Sequence, residues 1–370
     1  MIYNNAQEAF VDLSTMLLGS PEQQSRVGTT REMILNTITI KHPEQRIYCL
    51  PHRNDNIFAK IAETVWVLAG RNDLAFLSKY LPRAVDFSDD GKTWRAAYGQ
   101  RMRNFIDYDW YQGADQLKNI VKLLQKDRYT RRAIISLWNP EVDYEDSKDI
   151  PCNNWLNFII RPNKQGIDEL HLNIAQRSSD IMWGLSGINT FEFATLQILL
   201  AQWLQCKVGT LNYNITSLHV YEKHFTRLAK IIESYTYKTI YHYDIPIVGL
   251  HPQSMPHDSL AMFDNSLPAF FLREHDLLKP FDGNLNNIIT DNFLYRSFNM
   301  LMAYDLWRAC QPNLSGDLID CLDAMPDDDW KLAAIEYVAR DNKAVLDEVK
   351  MSDAIMTALL YCMPHLRDDR

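Results

Sequence analysis

The sequence has no Cys-x-x-Cys pair, and its six cysteines (Cys49, Cys152, Cys206, Cys310, Cys321 and Cys362) are scattered along 370 residues. Zinc-knuckle and thioredoxin-like arrangements are thereby excluded, and six thiols in so long a chain are not a disulfide framework. A reducing, cytoplasmic setting is expected, with five of the six acting as small hydrophobes. No apolar run approaches the roughly 18 residues of a membrane-crossing helix, so no membrane partner is expected. Met1 to Glu8 lack a basic segment followed by an apolar one, so no secretory signal is expected either. Basic residues are outnumbered 38 to 47, for a formal charge of -9. Nonspecific duplex binding relies on clustered Lys and Arg, so nucleic acid is not an expected partner. A few converging arginines still suffice to hold one phosphate group. Internal repeats and low-complexity tracts are also missing.

What remains is an ordinary globular composition, 46% hydrophobic and 23% charged, with ample material for a large core. Residues 1–20 carry a helical apolar pattern that Ser20-Pro21 breaks. Ser25 to Thr30 read as a short polar loop ahead of a strand from Ile34 to Ile40. Asn54 to Gly70 is helical, and Glu63 stands in it amid apolar neighbours. That glutamate is either on the wet face or buried with a purpose. Burial would raise its pKa and suit it to carrying protons. Asp86 to Gly91 reads as a turn. A helix over 114–126 leads to a buried strand from Ala133, with Arg131 and Arg132 just ahead of it. Residues 226–234 are helical, and Thr239 to Pro246 have strand character. Ile247 to Pro268 are rich in proline and turn residues, and helical patterns dominate from Phe281 onward.

The densest polar stretch lies between Pro151 and Phe225. It holds Pro151-Cys152-Asn153-Asn154-Trp155, then Gln176-Arg177-Ser178-Ser179-Asp180, then Gly184 to Asn189 ahead of a long helix, and last His219-Val220-Tyr221. A thiol, an Arg-Ser-Asp cluster, an amide and a His-x-Tyr pair interleaved with apolar runs suggest a built site on a β scaffold.

These motifs, in this order, resemble the thymidylate synthase family, which includes the pyrimidine nucleotide hydroxymethylases. Arg26-Val27-Gly28-Thr29, Glu63-Thr64-Val65-Trp66 with Gly70, Tyr98-Gly99 and Arg131-Arg132 add to the resemblance, which covers about residues 20–245. It implies an α/β (α+β) fold, a large mixed β-sheet flanked by helices, followed by an α-helical C-terminal extension. Residues 1–245 would be the catalytic domain, 246–280 an irregular connecting segment and 281–370 the extension. The substrates implied are a pyrimidine nucleoside monophosphate and 5,10-methylenetetrahydrofolate as one-carbon donor, without a metal.

By the resemblance, Cys152 is the nucleophile that adds to C6 of the pyrimidine, with Arg177 beside it. Glu63 relays protons and orients water, and Tyr98 helps remove the C5 proton. Asp180 binds the pterin edge. Arg26, Arg177, Ser178, Arg131 and Arg132 hold the phosphate, Asn189 reads the base, His219 and Tyr221 bond the sugar hydroxyl, and Gln176 is a further substrate-binding residue. Arg131 and Arg132 reach across a homodimer interface into the partner's site. The chain departs from the synthase pattern in three places. Asn153 replaces the histidine after the nucleophile, the C-terminus is charged, and no tryptophan ahead of Tyr98 matches the one that aids hydride transfer. All three bear on water exclusion or hydride transfer and favour a hydroxymethylase. The Asn189 amide, which matches the N3–H and O4 edge of uracil, makes dUMP the expected substrate. Thymidylate synthase and a dCMP or CMP hydroxymethylase are the alternatives. An inactive nucleotide-binding homologue and a thiol hydrolase using His171 or His219 are readings of other classes. The Gly184–Asn189 loop is one residue longer than the family's. Aligned from the helix, Asn189 is the base reader; aligned from Gly184, Ile188 takes that place.

Overall fold

The computed structural model describes residues 1–25, 28–105, 113–249, 259–275 and 287–366. The chain forms two compact units. One comprises Met1–Glu44 and Ala62–Phe225, the other Gln45–Ile61 and Thr226–Arg370. Residues 45–61 and 226–245, expected within a 1–245 catalytic domain, group with the C-terminal helices.

The first unit is built on one mixed seven-stranded sheet. Its strands are β1 (Ile2–Tyr3), β2 (Glu22–Ser25), β3 (Gly28–Ile40), β4 (Ala133–Ser136), β5 (Asn153–Pro162), β6 (Asp168–Asp180) and β7 (Lys207–Tyr221). The order across the sheet is β1-β3-β7-β6-β5-β4, with β2 paired to β3. β6 and β7 run parallel, whereas β5–β6 and β3–β7 are antiparallel. Alternation decides which face is core. Leu156, Phe158 and Ile160 of β5, Leu170, Leu172 and Ile174 of β6, and Leu211, Tyr213 and Ile215 of β7 are almost fully buried. On the opposite face Asn214 Nδ2 donates to Asn173 Oδ1 at 2.8 Å, and Thr39 Oγ1 to Asn212 Oδ1 at 2.9 Å. Ile34, Leu35 and Ile134 are exposed apolar residues of β3 and β4.

Helices of this unit are α1 (Ala6–Leu18), α2 (Ile57–Leu68, from Ala62 on), α3 (Leu74–Tyr80), α4 (Tyr98–Arg103), α5 (Gln116–Lys126) and α6 (Thr190–Trp203). Every residue of α6 except Gln202 is buried, as expected of a helix apolar all round. Gly99 lets α4 lie directly on α2: a Cβ there would sit 2.5 Å from the Val67 carbonyl oxygen. That contact sets the start of α4 against Val67, one helical turn beyond Glu63 on α2.

The polar loop expected over 25–30 is instead part of a hairpin, because Gln24 pairs with Thr29 and Ser25 with Gly28. The C-terminal unit carries α7 (Phe225–Glu233), α8 (Leu260–Glu274), α9 (Asn292–Cys310), α10 (Gly316–Asp323), α11 (Asp329–Ala339), α12 (Val345–Glu348) and α13 (Asp353–Cys362). Two expectations are corrected there. The strand character of 239–246 loses to a short 3-10 turn, Ile240–Tyr243, closed by a reciprocal Thr239–His242 cap. Half of the irregular segment is α8, started by the Ser259 hydroxyl, which accepts from Met262 N at 3.2 Å, and carrying Pro268 inside it. Among the described residues no helix is long and apolar enough to cross a membrane.

Candidate active site

The site lies within the sheet-based unit, where β5 and β6 pair beside Cys152. Asn153 pairs with Gln176 but Trp155 with Ala175, so one residue of β5 is extra and the strand bulges at Asn154. The Asn154 carbonyl faces β4, accepting from Leu137 N at 2.8 Å and Trp138 N at 3.1 Å. Without the bulge, alternation from Leu156 would turn Asn153 away from the core. With it, Asn153 is fully buried and its Oδ1 accepts from Gln176 Nε2 at 2.6 Å. Gln176 Nε2 also reaches Asn189 Oδ1 at 3.4 Å. Gln176 Oε1 is buried with no partner among the described residues, and the buried Asn153 Nδ2 makes no well-formed hydrogen bond there, with the Tyr98 hydroxyl as a polar neighbour. Each such atom costs roughly 1–3 kcal/mol unless something binds it.

Cys152 is half-buried just ahead of the bulge. Its carbonyl accepts from Arg177 N at 2.9 Å, and Arg177 Nη2 lies 3.9 Å from Sγ. The guanidinium is held there by the carbonyls of Pro151 (2.8 Å) and Ile150 (3.1 Å). The expected pairing of thiol and guanidinium is thus present, but its effect is outweighed. Burial pushes the Cys152 thiol above its ordinary pKa against the opposing pull of Arg177, with Asp149 and Asp180 adding to the rise. Tyr98 Oη accepts from Cys152 N at 3.2 Å and Asn153 N at 3.3 Å. Burial, then the neighbouring Cys152, drives its phenol far upward, so it stays protonated with its own hydrogen available to donate.

Glu63 keeps part of its surface accessible, yet burial of its carboxyl pushes its pKa to about 8, helped by Asp149. Of the two readings left open by the sequence, the structure selects a withdrawn carboxyl rather than a wet-face one. Asp149 is itself raised by burial while accepting from Ala96 N at 2.8 Å.

Asp180 ends β6 and starts a wide π-type helix, Ile181–Asn189, that runs directly into α6. Its Oδ1 accepts from Met182 N at 2.6 Å and Trp183 N at 3.0 Å, while Oδ2 is buried without a partner among the described residues. The extra residue between Gly184 and Asn189 is therefore taken up by a wider helical turn, not by a loop. Gly184 and Asn189 face one another across that turn: a Cβ on Gly184 would meet Ser179 Oγ at 3.1 Å and Asn189 Oδ1 at 3.7 Å. Asn189 is buried beside Gln176, and Ile188 is only half-buried.

His219 pairs with Asp180 across β6–β7, and its ring meets that of Tyr221 edge-on at 5.1 Å. Ser178 is half-buried and pairs with Ser217. Arg131 and Arg132 are not brought to this place. Ala133 pairs with Phe158, which puts both arginines near the far end of β5, roughly 20 Å from Cys152 at the usual strand rise. Both are exposed, and the Arg132 guanidinium pairs with Asp127 at 3.7 Å. Arg26 lies outside the described residues.

Three residues escaped the sequence reading. Ser179 Oγ is buried and unpartnered among the described residues. Trp183 is 57% exposed yet anchored, its Nε1 donating to His224 Nε2 at 2.9 Å. Glu192 of α6 is 1% exposed, and neither carboxyl oxygen has a hydrogen-bond partner among the described residues. A glutamate inside an otherwise apolar helix pattern was the available signal for the last.

The thymidylate synthase family model matches residues 9–248. The chain belongs to the thymidylate synthase family. A deoxyuridylate hydroxymethyltransferase of Bacillus phage SP01 is 38% identical over 56% of this chain and 55% of its own length. The deoxyuridylate hydroxymethyltransferase of Delftia phage PhiW-14 is 33% identical over 53% of this chain and 54% of its own. That of Pseudomonas phage M6 is 26% identical over 83% of this chain and 84% of its own. The chain thus spans about half the length of the first two relatives that it matches. As in other members of the thymidylate synthase family, the mixed sheet is flanked by helices, here with further helices after it.

Proposed function

We propose that this chain is a one-carbon transferase that converts dUMP to its 5-hydroxymethyl derivative. The observation that carries the reading is the buried amide wall beside the thiol. Asn153 Nδ2 and Gln176 Oε1 are a donor and an acceptor without a well-formed hydrogen bond among the described residues, with Asn189 next to them. A uracil ring, flat and edged by donors and acceptors, satisfies such a wall. Asn189 donates to O4 and accepts from N3–H, whereas an aspartate there would suit cytosine.

Cys152 Sγ adds to C6 and makes C5 nucleophilic, which is covalent catalysis by a thiolate. The bound folate, 5,10-methylenetetrahydrofolate, supplies the one-carbon unit. Asp180 fits it, because the unpartnered Oδ2 is an acceptor for a pterin's N–H edge and Trp183 offers an aromatic face alongside. Water held by the Tyr98 hydroxyl and Glu63 takes the C5 proton. The carbon–nitrogen bond to the folate breaks with a proton delivered to that nitrogen, and an exocyclic methylene is left on C5, toward which Glu63 then orients water. Arg177, Ser178 and Arg26 hold the phosphate, while His219 and Tyr221 bond the sugar hydroxyl. Arg131 and Arg132 complete the phosphate grip from the partner subunit of a homodimer. Their distance from Cys152 in the same chain supports that arrangement, as do the exposed Ile34, Leu35 and Ile134 on the open sheet face. A reducing compartment such as the cytoplasm keeps the six cysteines as thiols, the state in which they stand here.

Hydroxymethylation rather than methylation is supported by Asn153 beside the nucleophile and by the relatives' activity. The family's own description keeps thymidylate synthesis as the second reading. Incubation with the folate and dUMP, dCMP, UMP or CMP, followed by mass analysis, separates these readings. Hydroxymethyl-dUMP as the dominant product is the expected result. Asn189→Asp is expected to move preference toward dCMP by roughly 1–3 kcal/mol, the cost of a buried hydrogen-bond mismatch. Wild-type preference for dCMP would remove Asn189 from the role of uracil reader.

A further inference from the structure

Glu192 stands one turn after Asn189 in α6, with Phe191, Phe193 and Ala194 around it also buried. Both of its carboxyl oxygens are shielded from solvent and unpartnered among the described residues. A leucine or methionine would fill such a place without leaving two polar atoms orphaned, so packing does not account for a glutamate. The groups electrostatically coupled to it are those of the site. Glu63 raises the Glu192 pKa, after burial, and Glu192 in turn raises that of Tyr98. The ring of its neighbour Phe193 packs on Tyr98, with centroids 6.2 Å apart. Burial raises both carboxyls and Glu63 raises Glu192 further, so Glu192 is the one that holds its proton at neutral pH.

We propose that Glu192 is a catalytic residue: together with Glu63 it holds the water that attacks the one-carbon unit on C5. This inference rests on the hydroxymethylase reading. In the molecules in which Glu63 is ionised, a share that grows as pH rises toward about 8, Glu192, neutral, accepts one hydrogen of the water through its carbonyl oxygen, and the Glu63 carboxylate accepts the other. The water's lone pair is thereby aimed at the exocyclic methylene of the Cys152-bound nucleotide. The water oxygen bonds to the methylene carbon, one water proton passes to Glu63, and the C5-methylene electron pair moves onto O4 as an enolate. Collapse of the enolate restores the C4 carbonyl, forms the C5–C6 double bond and expels the Cys152 thiolate.

The test uses the full-length protein with Glu192→Met and Glu192→Gln. In Glu192→Met, dUMP affinity and one round of tritium release from C5 should persist. The hydroxymethyl product should fall about a hundredfold, the lower end for a lost proton-handling group. Glu192→Gln keeps a carbonyl acceptor and should recover part of that loss. A readout independent of turnover is the infrared spectrum of the free protein, where one component of the protonated-carboxyl absorption should be lost in both variants while that of Glu63 remains. Wild-type rates in Glu192→Met, or an unchanged infrared band, would overturn the proposal while leaving the hydroxymethylase reading standing. A methyl product from the wild-type protein would overturn both.

Discussion

Replacing Cys152 with serine should lower turnover roughly ten-thousandfold or more, the scale seen when an activated nucleophile is removed. Nucleotide binding, measured by calorimetry, should persist, because the contacts assigned to Ser178, His219 and Tyr221 do not involve Sγ. The structure adds a reason for the size of the effect. Burial raises the Cys152 pKa despite the guanidinium 3.9 Å away, so a stable thiolate is disfavoured in the free protein. Negative charge becomes tolerable only as it moves off sulfur and into the ring, ending on O4. A serine alkoxide starts much higher in energy, and among the described residues the group within hydrogen-bonding reach of Sγ is the Arg177 guanidinium, which is no base. Wild-type turnover by Cys152→Ser would exclude Cys152 as the nucleophile.

The second large effect is complementation between inactive chains. Cys152→Ser and Arg132→Ala should each be inactive as homodimers. Mixed and allowed to exchange, they should regain about a quarter of the sites, the proportion a two-fold dimer with shared sites dictates. Arg132 stands toward the far end of β5 from Cys152, roughly 20 Å away at the usual strand rise, which is why its guanidinium is assigned to the partner's site. Activity of verified heterodimers, read by steady-state turnover, decides the matter. Heterodimers that stay inactive would mean that each site is built from one chain.

Much of the scaffold was legible because its signals are local and periodic. The helices over 6–18 and 116–126 and the strands around Leu156 and Ile38 follow from apolar spacing alone. The family was legible through spaced residue types, from Glu63 to the His219–Tyr221 pair. What stayed hidden depends on register. Nothing in Asn153-Asn154-Trp155 announces a bulge, yet the bulge turns Asn153 onto Gln176 and creates the orphaned amide atoms. The extra residue before Asn189 was legible, but not its absorption into a π-type turn capped by Asp180. Thr239 to Tyr243 show the converse: strand propensity lost to a cap that a single reciprocal pair of hydrogen bonds supplies. Pro268 reads as a breaker, although the helix around it persists. Glu192 was passed over because one acid in an apolar helix looks like a wet-face residue until its burial is known.

The central claim is that water, not hydride, completes the reaction at C5. With dUMP labelled with tritium at C5 and methylenetetrahydrofolate present, near-ultraviolet absorbance and tritium release are followed in one reaction. Dihydrofolate absorbs strongly there and tetrahydrofolate much less, whereas C5 loses its proton on either route. A flat absorbance trace with steady tritium release is the predicted result. An absorbance rise stoichiometric with tritium release would contradict it and make the chain a thymidylate synthase.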